Sequence, residues 1–450
     1  MEILRRFVAH PQVSWDFSRV FQYGPLPTQL AGLLALTGLG SLVASRIVVV
    51  LGGTLSVVLA ARLAQRFSGD RAGLAAGLAL ALCPIHLQAS TTFASEAIYL
   101  PFALGTVLAA LDDRPLLAVA CAFGASTTRY DAWLWLPLLA AWWVWKRAGT
   151  SAARDETDQS DPTDRADRRS ARASRVRAWV TAALLLLGPA SILLANALAS
   201  GHPLAPLTHI TADHARLAAR AEAQYGVLSW RISMLGYWPA ALFGLLTPGF
   251  FVVLVPGLVR AAKWRSKALL PISLGLFPLV LYTGKSVLLG SFWPMARFAL
   301  GPAAFLLAAM PALKPRTLVV CLLLALWTDA AIVREADGMP GLGLMAAASS
   351  PVSRLPADLE AGADALRASR GPVALDRVPT YEDIVIACAA RRDRRDVEHL
   401  PPGVVPGLIV SIHGGALDRT LHETETAFRH RYRMAHAVGR VTVWRLAGRR

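Results

Sequence analysis

The chain has 450 residues, 54% of them hydrophobic and 17% charged, with a mean hydropathy of +0.44. Soluble domains carry about 25% charged residues, so this deficit, together with repeated long apolar runs, excludes an ordinary soluble protein. The net charge of +16 fits basic loops beside an anionic leaflet, and with no basic stretch interleaved with stacking aromatics, no nucleic-acid partner is expected.

The opening MEILRRFVAH has no apolar core after its two arginines and is not a signal peptide. The apolar run 26–38 is short and opens on Gly24-Pro25-Leu26-Pro27, which predicts a re-entrant or interfacial helix. Ten further runs are long and apolar enough to span a bilayer, fewer residues sufficing where polar ends snorkel. They cover about 42–64, 72–89, 96–111, 115–128, 131–146, 177–199, 240–261, 268–284, 297–313 and 316–334. Between them, 150–175 is low-complexity and of mixed charge, and predicts a disordered linker.

The basic residues sort to one side of these spans. Arg62, Arg66 and Arg71, then Lys146 to Arg177, then Arg260 to Lys267, then Lys314 and Arg316 all fall on that side, which is therefore expected to be cytoplasmic. The opposite loops, 84–96, 200–239 and 284–296, are poor in Lys and Arg. By the same parity residues 1–41 lie outside, so either a short tail crosses unaided or the natural reading frame starts upstream of Met1.

Residues 335–450 change character. Short β-rich runs at Pro372–Leu375, Gly407–Ile412, Met434–Val438 and Val441–Leu446 alternate with helical patterns near 356–369, 381–390 and 417–429. This predicts a small α/β soluble domain, extracytoplasmic by span parity. The expected fold class is thus an all-α polytopic membrane bundle, residues 1–334, followed by that domain. Cys83, Cys121, Cys321 and Cys388 lack ligand spacing, and neither a zinc site nor a disulfide framework is expected.

Several segments in order carry a family likeness: WDFSRVFQYGPLPTQLAGLLALTG with SRIVVVLGGTLSVVLAARLAQRF, CPIHLQASTTFASEAIYLPFAL, GASTTRYDAWLWLPLLAAWW, SGHPLAPLTHITADH and FWPMARFALGPAAFLLA. Over about residues 15–335 the chain resembles the GT-C superfamily of polytopic membrane glycosyltransferases, in particular its RgtA-like and protein O-mannosyltransferase-like members. The resemblance implies an enzyme of the inner membrane that uses a polyprenyl-phosphate-linked sugar and a glycan, lipid or protein acceptor on the outer face. It also implies a first-loop acid and often a divalent cation, Mg or Mn. The chain departs from that pattern: only Glu2 and Asp16 are acidic before the first span.

Transfer from a lipid phosphate needs a base for the acceptor hydroxyl and cations for the leaving phosphate. Glu96 and Asp16 are the candidate carboxylates, against the plainer readings of a helix N-terminal charge and a turn residue. Asp131 reads as the partner of Arg129 in a tight turn, with a catalytic role as the alternative. Arg297, Lys285 and Arg129 are candidates for the donor phosphate, since ionisable groups at such depth are costly to place; snorkelling to headgroups is the plainer reading of Arg297. Tyr237, Trp238 and His202 are candidates for substrate contact, and His86 and His214 are weighed as base or metal ligand. Two other functions stay open: a non-catalytic scaffold or carrier-lipid binder of the same fold, and a transporter or flippase. The absence of an internal repeat weighs against the last.

Overall fold

A computed structural model describes residues 24–39, 41–91, 94–155, 164–263, 268–336, 357–369, 371–376, 386, 390, 405–413, 417 and 430–447. The chain divides into two compact units, Ile3–Ala331 and Ile332–Arg450.

The first unit is helical. Its elements are α1 (Leu26–Ala35), α2 (Ser41–Ser68), α3 (Asp70–Ala81), α4 (Pro84–Ala89), α5 (Ser95–Leu111), α6 (Pro115–Thr128) and α7 (Ala132–Asp155). They are followed by α8 (Asp164–Leu185), α9 (Leu187–Ser200), α10 (Ala205–Tyr225), α11 (Val227–Leu245), α12 (Thr247–Lys263) and α13 (Leu269–Val287). A 3-10 turn (Ala296–Ala299), α14 (Leu300–Leu306), a second 3-10 turn (Leu307–Ala309) and α15 (Pro315–Ala336) complete it.

Several expected spans differ from this. By length and composition two helices among the described residues can cross a membrane, Val43–Ser68 and Leu269–Val287, or four if each of two bent pairs is one span. The run 72–89 is interrupted after Ala81, where Pro84 opens α4; proline donates no backbone N–H and favours a helix start. The run 177–199 bends by 47° between α8 and α9. The expected loop 200–239 is mostly helix, α10 and the start of α11. The run 240–261 bends by 113° between α11 and α12. There Thr247 has φ 57°, in a region β-branched residues avoid, and Pro248 behind it disfavours a helical predecessor. The run 297–313 is a 3-10, α, 3-10 sequence that stops before Pro311. Nor is 150–175 a linker throughout, for α7 continues to Asp155 and α8 starts at Asp164. Its Ala and Arg residues are good helix formers.

At the centre, α2 packs on α3 and α5, and α5 on α6. Close approach depends on glycine. A Cβ on Gly52 of α2 would lie 2.5 Å from the Ala97 carbonyl oxygen of α5, so only glycine lets α2 pass the start of α5. The charged ends of these helices separate by chemistry. At the α5–α6 turn, Asp112 pairs with Arg66 of α2, and Asp113 with Lys146 and Arg147 of α7. The opposite end of α5, about 25 Å away along the axis, carries Ser95 and Glu96.

The second unit holds α16 (Ala357–Ala368) and strands β1 (Val373–Leu375), β2 (Leu408–Ile412), β3 (Tyr432–Val438) and β4 (Val441–Leu446). The sheet order is β1-β2-β4-β3, with β1 parallel to β2 and the other pairs antiparallel. The central β2 is buried at every position, and its Val410 and Ile412 share a core with Leu359 and Leu366 of α16. The buried Asp376 carboxylate accepts from the backbone N–H groups of Ile412 and Leu417, at 3.2 and 2.8 Å, a tie that closes the end of β1. The helical patterns at 381–390 and 417–429 fall largely outside the described residues.

Replacing Gly52 by Leu forces a side chain into the Ala97 backbone. Overpacking of this kind costs about 1–3 kcal/mol, so Gly52→Leu should lower the thermal midpoint of the purified chain. Gly236→Leu, where a Cβ meets nothing within 4 Å, should leave it unchanged.

Candidate functional site

The site forms where α5 begins and α6 ends. Glu96 lies in the first turn of α5 and is 5% exposed; Arg129, which follows α6 in extended backbone, is 4% exposed. The Arg129 guanidinium donates to Glu96 Oε1 at 2.5 Å and to Ser95 Oγ at 3.1 Å. Its Nε and Nη2 both reach Asp131 Oδ2 at 2.6 Å. Tyr282 of α13 donates to the other Asp131 oxygen at 2.6 Å. One cation is thus gripped by two carboxylates, and a tyrosine from a distant helix closes the network.

Arg297, in the 3-10 turn before α14, lines the same small cavity as Glu96, Arg129 and Asp131, about 10 Å³ in volume, room for about one water. Phe298 forms its floor: the guanidinium carbons of Arg129 and Arg297 lie 5.7 and 5.6 Å from the ring centre, within cation–π range. An aromatic shell extends outward. Phe292 stacks on Tyr282 and on His214 with both centroid distances 4.7 Å, and Trp238 lies 5.7 Å from Tyr282. The Lys285 ammonium sits 6.0 Å from the Phe292 ring centre and makes no ion pair among the described residues.

The structure therefore brings Glu96, Arg129 and Arg297 together, with Lys285 and Trp238 reached through the Phe292–Tyr282 stack. Tyr237 packs edge-on against Trp238, 4.9 Å between centroids, at the periphery. His202 is exposed in the α9–α10 turn. Asp16 lies outside the described residues. The buried ring of Trp238 joins the bundle core, so packing is the role its position displays. Sequence reading passed over Ser95, Tyr282, Phe292 and Phe298. Of these only Tyr282 carried a signal, a tyrosine three residues before Lys285 at the end of an apolar run.

Among the described residues no three His, Cys, Asp or Glu side chains converge, and the Glu96 and Asp131 carboxylates are engaged by Arg129 and Tyr282. The described donor set does not fit a divalent cation.

His214 of α10 has its Nδ1 2.9 Å from the Trp293 carbonyl oxygen and 3.3 Å from the Trp293 backbone nitrogen. Burial pushes its pKa below the ordinary value; the charges of Lys285 and Arg297 act in the same direction, while Trp293 and Asp213 oppose.

Two outcomes are expected. Arg129→Met leaves two carboxylates without their cation, and breaking a buried pair costs about 3–5 kcal/mol; the thermal midpoint should drop well below that of an exposed control, Arg216→Met. For His214, a pKa lowered by folding means the unfolded chain protonates first, so stability is lost as pH falls through the unfolded value of about 6.5. Thermal unfolding at pH about 7.5 and 5.5 should show a smaller drop for His214→Phe than for wild type. Equal drops would remove His214 from the account.

No family model matches the chain, and no curated protein matches it. Solved structures do. The crystal structure of ArnT from Cupriavidus metallidurans bound to undecaprenyl phosphate superposes with a TM-score of 0.56 at 15% identity, covering 95% of this chain and 88% of that one. The apo structure of the same protein gives 0.56 at 14% identity, covering 98% and 91%. At that identity the likeness speaks to architecture, and it spans nearly the whole of both chains: this protein has the polytopic membrane fold of ArnT, the fold that its resemblance to the GT-C superfamily implied.

Proposed function

We propose that this chain is an integral membrane glycosyltransferase of the GT-C kind. It moves a sugar from a polyprenyl-phosphate donor to a glycan, lipid or protein acceptor at the extracytoplasmic face of the inner membrane, the side on which the C-terminal α/β domain also lies. The observation that carries this reading is the convergence of Glu96, Arg129 and Arg297 on one buried cavity, within the fold of a protein crystallised with undecaprenyl phosphate.

The chemistry is an inverting, single displacement. The acceptor hydroxyl oxygen attacks the anomeric carbon; the bond from that carbon to the lipid phosphate oxygen breaks, and the electron pair leaves with the phosphate. Arg297 and Lys285 hold the departing phosphate charge. Glu96 takes the hydroxyl proton. Its Oε1 is fixed by Arg129, whereas among the described residues Oε2 has only a long contact from Ser95 Oγ at 3.4 Å; that oxygen is the one to take a proton. Arg129, spent on two carboxylates, is a positioning group in this scheme rather than the phosphate clamp its sequence context suggested.

A second reading has one observation in its favour. Glu96 and Arg129 satisfy each other, as they would in a fold that binds carrier lipid without reacting it. Membranes supplied with a polyprenyl-phosphate sugar separate the two. Glu96→Gln should slow transfer by about 10²-fold or more, and Arg297→Ala and Lys285→Ala by about 10-fold to 100-fold each. Carrier lipid bound with no transfer by wild type would support the scaffold reading, and unchanged transfer in all three variants would sink the catalytic assignment.

A further inference from the structure

A second cavity of about 560 Å³ lies at the other end of the same helices, between α2 and α5 with α6 at its mouth. Its walls follow from helical spacing. Leu55, Leu59, Arg62 and Arg66 recur every three or four residues and so share one face of α2, while Phe102, Gly105, Leu108 and Asp112 share the facing side of α5. Leu55 and Leu117 are about half exposed on its outer rim. From Leu55 to Arg66 the groove runs about 16 Å along the helix, the depth of one leaflet's hydrocarbon, about 15 Å. Its apolar floor therefore ends in charge at the level where headgroups begin.

The charge at that mouth is one-sided. Arg62, Arg66 and Arg114 face a single lining carboxylate, Asp112. Asp112 is taken by Arg66, which also donates to the Leu111 carbonyl oxygen at 2.9 Å. Arg62 reaches only the neutral Gln65, at 3.2 Å, and neither Arg62 nor Arg114 makes an ion pair among the described residues. Two guanidinium groups at the end of an acyl-sized groove suit a phosphodiester, an acceptor of forked N–H donors. A zwitterionic headgroup brings its own cation and suits them less.

We infer that this groove is a binding site for one anionic phospholipid of the leaflet on the basic side of the bundle, its phosphodiester held by Arg62 and Arg114 and one acyl chain laid between α2 and α5. The site stands about 25 Å along α5 from Glu96 and does not depend on the proposed transfer reaction. The lipid fills the groove between α2 and α5, so occupancy also braces α2 against α5.

The test uses the full chain, delipidated in detergent and followed by native mass spectrometry as phosphatidylglycerol or phosphatidylcholine is added back. One phosphatidylglycerol should be retained in preference to phosphatidylcholine. Arg62→Gln with Arg114→Gln should weaken it about fivefold per arginine, roughly 25-fold in all. Leu55→Trp, which fills the groove and leaves the charges in place, should weaken it as well, and serves if the double variant does not fold. Equal retention of the two lipids, or retention unaffected by either variant, overturns the proposal. So does displacement by millimolar inorganic phosphate, which marks a free-anion site in place of a lipid site.

Discussion

Arg129 is an arginine placed where water does not reach, between the start of α5, the end of α6 and the start of α7. Taking such a charge out of water costs several kcal/mol unless partners meet it with good geometry. Here Glu96 meets it from α5 and Asp131 from the turn before α7, and Tyr282 secures Asp131 from α13. The geometry is available only in one register of these helices. A slide of one turn, about 5.4 Å, would part the guanidinium from both carboxylates. The ion pair therefore acts as the pin about which the bundle is aligned, and the cavity shared with Arg297 lies beside it, where α5 packs on α14.

The breaks in the helices fit the same constraint. Non-helical backbone at membrane depth is tolerated where protein covers it, and the interruption at Thr247 is buried, as is the break Leu307–Met310 that ends α14. Proline supplies many of these breaks and bends, and glycine the close contacts between helices, which suits a bundle whose spans are discontinuous. The two ends of α5 show the result. One carries a desolvated network with a cavity the size of a water; the other carries a solvated ring of arginines and aspartates above an open groove.

Much of the architecture could be read from local pattern. The boundaries of α5 and α6 agree with the expected runs to within a residue, because both begin and end on polar or proline punctuation. The four strands of the C-terminal unit fall within two residues of expectation, since each is a short apolar run between turn formers. The readings that failed did so where an apolar run continued through a backbone break: 72–89, 177–199 and 240–261 are continuous in hydropathy, and hydropathy does not register a bend. The opposite error occurred in 200–239, whose polar residues mark exposure but do not prevent a helix.

Hydropathy, charge bias and ordered motifs, all local or additive along the chain, were enough to predict a polytopic membrane fold with an appended α/β domain, the architecture the chain shares with ArnT, and which ionisable residues stood out at helix ends. Which of those residues meet was decided by tertiary structure alone. Glu96 and Arg129 are 33 positions apart, and Asp131 and Tyr282 are 151; no periodicity links positions at such separation. Their contact is set by how helices pack around Gly52 and by the need to neutralise a buried guanidinium, terms that arise only once the chain has folded.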